Sequence, residues 1–276
     1  MKTIFVMICL CVATLTQAQL YNTSIGWNNT YLFNPALTGE NSSSISINHS
    51  ARSPRFSGSP YLTTFNAESP TGKTLGVGFT VNHYSIGPLQ SLGFRFKASR
   101  KVKLKTGYLR VGGAGEVVTK TLSSDYSNIW PNAQVGVSYH TLKLTLGMAY
   151  QNYYEPLTPT ESYNSSNENN LLSAHASYKI NLTSTVSITP QTTVFHRSNS
   201  KLLYQFRALA SYKEKFRIGL GTQATTKKDN YIELQAFTEL SITSRLFLNY
   251  ALGTNVKSNL KSHIHSVGLI LNLGQS

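Results

Sequence analysis

Seven histidines and eleven carboxylates are the side chains best suited to acid–base or metal chemistry, and their spacing offers little of either. Only Asp125 and Asp229 are aspartates, and no two carboxylates stand at a spacing that suggests a working acid/base pair. His263 and His265 form the one close histidine pair, which is two ligands without a third. His83 stands two residues from Ser85, and His140 has polar neighbours; either set offers a base and a nucleophile, as a lipid hydrolase would need, but a triad is made by geometry and not by closeness in sequence. Gly112-Gly113-Ala114-Gly115 lacks both the Lys-Ser/Thr ending and the α/β setting of a phosphate loop. A chain that is not an enzyme, with no cofactor and no metal, is expected.

The remaining chemistry is ion pairing and aromatic contact. Arg95, Arg110, Arg207 and Arg217 fall at positions that share an inner face in the strand pattern described below. Guanidinium groups grip carboxylates through two parallel hydrogen bonds, so such a row suits an acidic or carboxylate-ended peptide. Glu116, Glu233 and Glu239 fall on the same face and offer the alternative, a wall braced by its own ion pairs. Tyr126, Trp130, Tyr153 and Tyr154 lie in stretches expected to be external loops, where they would give contact area to a protein partner or anchor the membrane interface.

The elements that must carry these groups are strands. Between residues 231 and 242, Ile232, Leu234, Ala236, Leu240 and Ile242 share one face, while Glu233, Gln235 and Glu239 share the other. That period of two marks a strand with one apolar and one polar side. Fourteen such segments follow one another, from residues 44–50 to 264–273. Taken alternately, their connections are mostly tight (69–73, 141, 181–184, 213–215, 243–245) or longer and polar (51–60, 122–131, 153–170, 256–263). An even strand number with short turns on one side and long loops on the other is the outer-membrane pattern. The expected fold is therefore all-β: a transmembrane outer-membrane β-barrel of about 14 antiparallel strands in an up-and-down meander. A charge on the lipid face at mid-depth would cost on the order of 2–4 kcal/mol, so the charged parity belongs inside. Gly76, Gly78, Gly112, Gly219 and Gly221 fall mostly on that inner side, where a small residue makes room for a bulky neighbour or a plug.

Export is expected from the first residues. Met1-Lys2, the apolar run 4–15 and Thr16-Gln17-Ala18 have the three parts of a signal peptide, with Gln19 as the mature start. Cys9 and Cys11 both fall inside it, which leaves about 258 residues without a thiol or a disulfide. Loss of Lys2 lowers the formal charge from +14 to +13. Such a balance suits an anionic partner surface, while export argues against nucleic acid. The domains expected are 1–18 as signal, 19–43 as an N-terminal periplasmic segment and 44–276 as the barrel.

Three stretches carry a family resemblance: Asn34-Pro35-Ala36-Leu37-Thr38-Gly39, Arg55-Phe56-Ser57-Gly58-Ser59-Pro60 and Asn82-His83-Tyr84-Ser85-Ile86-Gly87. In these, and in strand rhythm over the mature chain, the sequence resembles the PorP/SprF family of type IX secretion system membrane proteins from Bacteroidota. The resemblance implies a Gram-negative outer-membrane barrel, in contact with outer-membrane lipid, that helps to secrete or anchor cell-surface proteins such as gliding adhesins through their C-terminal sorting domain. It also implies contact with other type IX secretion components, and no catalysis. The motif residues carried over are Asn34, Pro35, Ala36, Gly39, Arg55, Gly58, Pro60 and Gly87. A general pore for small solutes is the alternative.

Overall fold

The structure is a computed structural model and describes residues 33–40, 42–52, 58–122, 126–154, 168–197, 202–225, 232–256 and 263–274. A 3-10 turn at Pro35–Leu37 precedes β1 (Ser43–Arg52), β2 (Tyr61–Thr71), β3 (Leu75–Ile86), β4 (Leu89–Leu104) and β5 (Gly107–Leu122). Next come β6 (Tyr126–His140), β7 (Leu144–Tyr154), β8 (Glu168–Tyr178), β9 (Ile180–Asn181) and β10 (Val186–Arg197). The last five are β11 (Leu203–Tyr212), β12 (Phe216–Thr225), β13 (Ile232–Ser241), β14 (Leu246–Asn255) and β15 (His263–Gly274). The two residues of β9 pair only with β10 and continue the line of β8, which leaves fourteen long strands. Each pairs antiparallel with its neighbours in the chain, and β15 returns to β1 with Gly274 opposite Ser43 and Ile264 opposite Arg52. The sheet is a closed up-and-down barrel, so no strand edge is left unpaired at the seam.

Residue parity sets which face is wet. Leu146, Met148 and Tyr150 on β7, Ile218 and Leu220 on β12, and Tyr204 and Phe206 on β11 are exposed on the outside. Leu234 and Leu271, which a stacked two-layer sheet would hide, remain 49% and 39% exposed. Arg95, Arg110, Glu116, Arg207, Gln223, Glu233 and Glu239 are buried on the inside. Apolar clusters inside are small: Leu171, Phe195 and Leu203 with Phe33, and Leu209, Phe237 and Ala251. Cohesion comes from the closed backbone ladder and the polar interior, with the apolar surface turned outward as lipid requires.

Two expectations change. The loop expected at 122–131 is mostly strand, because β5 runs to Leu122 and β6 starts at Tyr126, with Trp130 opposite Val118 and Pro131 opposite Val117. Proline removes a ladder donor and so reads as a strand boundary, but pairing with β5 carries the strand through it. Likewise, β7 extends through Tyr153 and Tyr154 and β8 begins at Glu168. Tyr126, Trp130, Tyr153 and Tyr154 are therefore strand residues near one end of the barrel and not loop residues. The connections at that end are not uniformly long either, since β3 turns into β4 over Gly87 and Pro88 alone.

The other change is the N-terminal segment. Residues 33–40, expected in a segment outside the barrel, lie within it, with Asn34, Ala36, Leu37 and Thr38 almost fully buried. The expected signal peptide at 1–18 and residues 19–32 fall outside the described residues.

Candidate functional site

The site is the lumen between β2 and β8 together with the turn it holds. Asn34 caps the turn, accepting a 3.0 Å bond from the Ala36 amide at its side-chain oxygen, and Pro35 supplies the fixed φ of a first helical position. The same side chain donates from Nδ2 to the Val137 carbonyl on β6, 3.1 Å away, so one residue both shapes and docks the turn. Carbonyl groups left over at the end of the turn are collected by the wall. Arg110 donates from Nε to the Ala36 carbonyl at 2.8 Å and from its terminal nitrogen to the Thr38 carbonyl at 2.6 Å. Ser99 on β4 donates to the Thr38 carbonyl at 2.7 Å and accepts from Arg110. Gln134 donates to the Phe33 carbonyl at 2.7 Å, and the Phe33 ring meets Phe195 edge-on at 5.1 Å.

The chain leaves the lumen through a second set of contacts. The Gly39 amide donates to Glu68 at 3.3 Å, and Glu40 pairs with Nδ1 of His140 at 2.7 Å while accepting from the Tyr108 hydroxyl at 3.2 Å. His140 stacks flat on Tyr108, with ring centroids 4.7 Å apart, and Lys101 covers that tyrosine ring at 4.0 Å. His140, a candidate base, is thus a partner of Glu40 and Ser138.

Glycine makes the close approach possible. A Cβ on Gly112 would lie 2.5 Å from the Pro35 carbonyl, and one on Gly136 would overlap the Asn34 side chain. Gly76 and Gly78 face Thr38 in the same way. Gly39 has a φ of 61° and a Cβ there would come 2.6 Å from the Ser69 carbonyl, so the motif glycine is required twice over.

The four arginines fall on two separated parts of the wall. Arg95 and Arg110 sit on adjacent β4 and β5; Arg207 and Arg217 sit on adjacent β11 and β12, six strands further on. Arg95 pairs with Glu116 at 2.9 Å, and Arg217 pairs with Glu239 at 2.9 Å, which is the braced-wall alternative. Arg110 holds the turn. Arg207 donates to Gln205 at 3.0 Å, within a belt that links Gln205 to Gln223 at 2.7 Å. Across β13, Glu233 accepts from Gln235 at 2.8 Å and meets Arg52 at 3.5 Å. Sequence reasoning missed Ser99, Gln134, Glu68 and His140 as partners of the turn. The signal available was the coincidence of glycines at inward positions on neighbouring strands.

Of the other motif residues, Gly58 and Gly87 meet: the Gly87 amide donates to the Gly58 carbonyl at 3.0 Å, and both have positive φ. Pro60 accepts from the Arg52 amide at 2.9 Å, which closes the base of the β1–β2 connection. Arg55 lies outside the described residues. His83 faces Tyr61 edge-on at 5.5 Å, and His265 lies 2.8 Å from the Tyr250 hydroxyl. Among the described residues, no group of three or more His, Cys, Asp or Glu converges on a metal position.

A family described as type IX secretion system membrane protein PorP/SprF matches residues 17–271. Curated proteins gave no match. Among solved structures, the CymD monoaromatic hydrocarbon channel is similar with a TM-score of 0.62 at 12% identity, over 88% of this chain and 92% of that one. The outer membrane protein Omp33 of Acinetobacter baumannii follows at 0.56 and 9% identity, over 84% and 99% of the two chains. The toluene transporter TbuX of Ralstonia pickettii gives 0.55 and 10%, over 88% and 93%. At these identities the likeness is one of fold.

Proposed function

Because the chain belongs to the PorP/SprF family of type IX secretion system membrane proteins, we propose that it is an outer-membrane partner barrel that binds a secreted surface protein through that protein's C-terminal sorting domain. In this reading it works beside other type IX secretion components and acts on its cargo by binding, without catalysis. The observation that carries the reading is the occupied lumen: the turn at residues 34–39 fills the space between β3 and β7 and is bonded there by Arg110, Ser99 and Gln134. A general solute pore is served by a clear bore. A barrel with its interior held by its own chain is better suited to presenting a rigid rim.

The end of the barrel reached by Tyr126, Trp130, Tyr153 and Tyr154 is the proposed docking rim, since aromatic residues concentrate binding energy at protein interfaces. The arginines of the lumen brace the barrel wall, with Arg110 and Arg217 toward the opposite end. Affinity capture from native outer membranes tests the proposal, with the unaltered barrel and a Trp130→Ala/Tyr153→Ala/Tyr154→Ala variant side by side. Recovery of one large surface protein through its C-terminal domain, lost in the variant, is the expected result. Recovery of lipid alone by the unaltered barrel, together with a steady single-channel conductance in a planar bilayer, would instead establish the pore.

A further inference from the structure

The short connections at the end opposite that rim share a feature that the lumen does not use. Each of the six carries a basic residue: Lys73 between β2 and β3, Lys105 between β4 and β5, Lys143 between β6 and β7, Lys179 after β8, Lys213 between β11 and β12, and Arg245 between β13 and β14. Glu214 is the only carboxylate in these turns. The connections at the other end mix signs, with Asp125, Glu155, Glu161 and Asp229 among their lysines.

The β4–β5 hairpin concentrates the charge. Leu75, the first residue of β3, stands opposite Arg100, and His140, the last residue of β6, stands opposite Tyr108, so residues 101–107 project past both neighbours. Arg100 is exposed on the lipid-facing parity, between Leu75 and Val111 on its flanking strands. Beyond it, Val102 and Leu104 continue that outward apolar row at 44% and 48% exposure, while Lys103 and Lys105 are exposed beside them. Tyr178, Tyr212 and Phe216 are exposed on the outside next to the neighbouring turns, and the Lys213 ammonium lies 5.4 Å over the Tyr212 ring.

We infer that this rim is a collar for anionic phospholipid headgroups of the leaflet that surrounds it, with Arg100, Lys103 and Lys105 as its strongest point. Two observations select lipid over an acidic protein. The charge is spread over every short turn around the circumference, as a surrounding leaflet is, whereas a docked protein touches one sector. Arg100 also stands in the outward apolar row with Val102 and Leu104, and Lys213 lies over the outward Tyr212 ring, the arrangement in which Arg and Lys stems lie in acyl chains and their heads reach the phosphates.

The test is electron spin resonance of the purified barrel in phosphatidylcholine vesicles doped with nitroxide-labelled phosphatidylglycerol or nitroxide-labelled phosphatidylcholine. The labelled phosphatidylglycerol is expected to associate about twofold more strongly, with the preference abolished at about 1 M salt, where screening reaches a few ångströms. An Arg100→Gln/Lys103→Gln/Lys105→Gln variant should lose about half of that preference, while Lys227→Gln/Lys228→Gln, between β12 and β13, keeps it. Heat-modifiable electrophoretic mobility shows that each variant is folded. Equal association of the two labels with the unaltered barrel overturns the inference, as it would if the collar served an acidic protein. An equal loss in both variants overturns it too.

Discussion

The two walls of the lumen handle missing side chains differently. On β10–β15 and the adjoining β1, the space beside an inward glycine is taken by a neighbouring strand: Phe237 lies over Gly219, Glu233 over Gly253, and Asn48 with Asn249 over Gly268. On β3–β6 the corresponding space at Gly76, Gly112 and Gly136 is taken by residues 34–38, a part of the chain that is not in the sheet. The first wall is complete in itself. The second is complete only with its turn in place, and an inward glycine there records where another segment must dock.

Substitutions separate the two cases. The largest effect is expected from Arg110→Met, which strips the Ala36 and Thr38 carbonyls of their guanidinium donor. Stranding buried acceptors of a charged partner should cost about 3 kcal/mol, read by urea unfolding in detergent, and should open the chain near Leu37 to protease. Gly136→Val should follow at about 2 kcal/mol by overpacking against Asn34, with the same new protease site. Gly219→Ala on the other wall should cost about 1 kcal/mol, because the Phe237 ring has to shift, and should leave the turn protected. Protease sensitivity near Leu37 in the Gly219→Ala protein would erase the contrast between the walls.

The smallest effect lies outside the lumen. Glu214, in the β11–β12 turn, is held below the usual carboxylate range by its hydrogen bond from Lys179 and then by Arg217. A lowered folded pKa stabilises the protein above the ordinary carboxylate range, and that contribution disappears as pH falls through the lowered value. Glu214→Gln should therefore match the unaltered barrel in acid and fall behind at neutral pH, by no more than about 0.5 kcal/mol for so exposed a pair. Unfolding curves collected at both pH values measure the difference.

Strand number and facing were legible because one residue in two must meet lipid and the next must not, a rule that acts locally at every position. Glu233, Arg207 and Leu220 took their places by that parity alone. Tyr126 and Trp130 were misplaced because polar residues and Pro131 imitate a loop when the pairing strand is not considered. The position of the Asn34 turn was beyond local reasoning: Pro and Gly fix its shape, but what it packs against is decided by Gly112 and Gly136, 78 and 102 residues after Asn34. The inward glycines suggested a bulky neighbour or a plug, and which of the two applied depended on closure of the barrel.

Cysteine cross-linking tests the central claim most directly, since both native cysteines precede Gln19. With Thr38→Cys, a partner cysteine at Ser99, whose hydroxyl lies 2.7 Å from the Thr38 carbonyl, should be joined by a short bis-maleimide in native membranes. A partner at Gln205, on the facing wall, should not. A bridge to position 205 with none to 99, or no bridge at all in a folded barrel, would show that the turn lies elsewhere and that the glycine-lined wall is filled by something else.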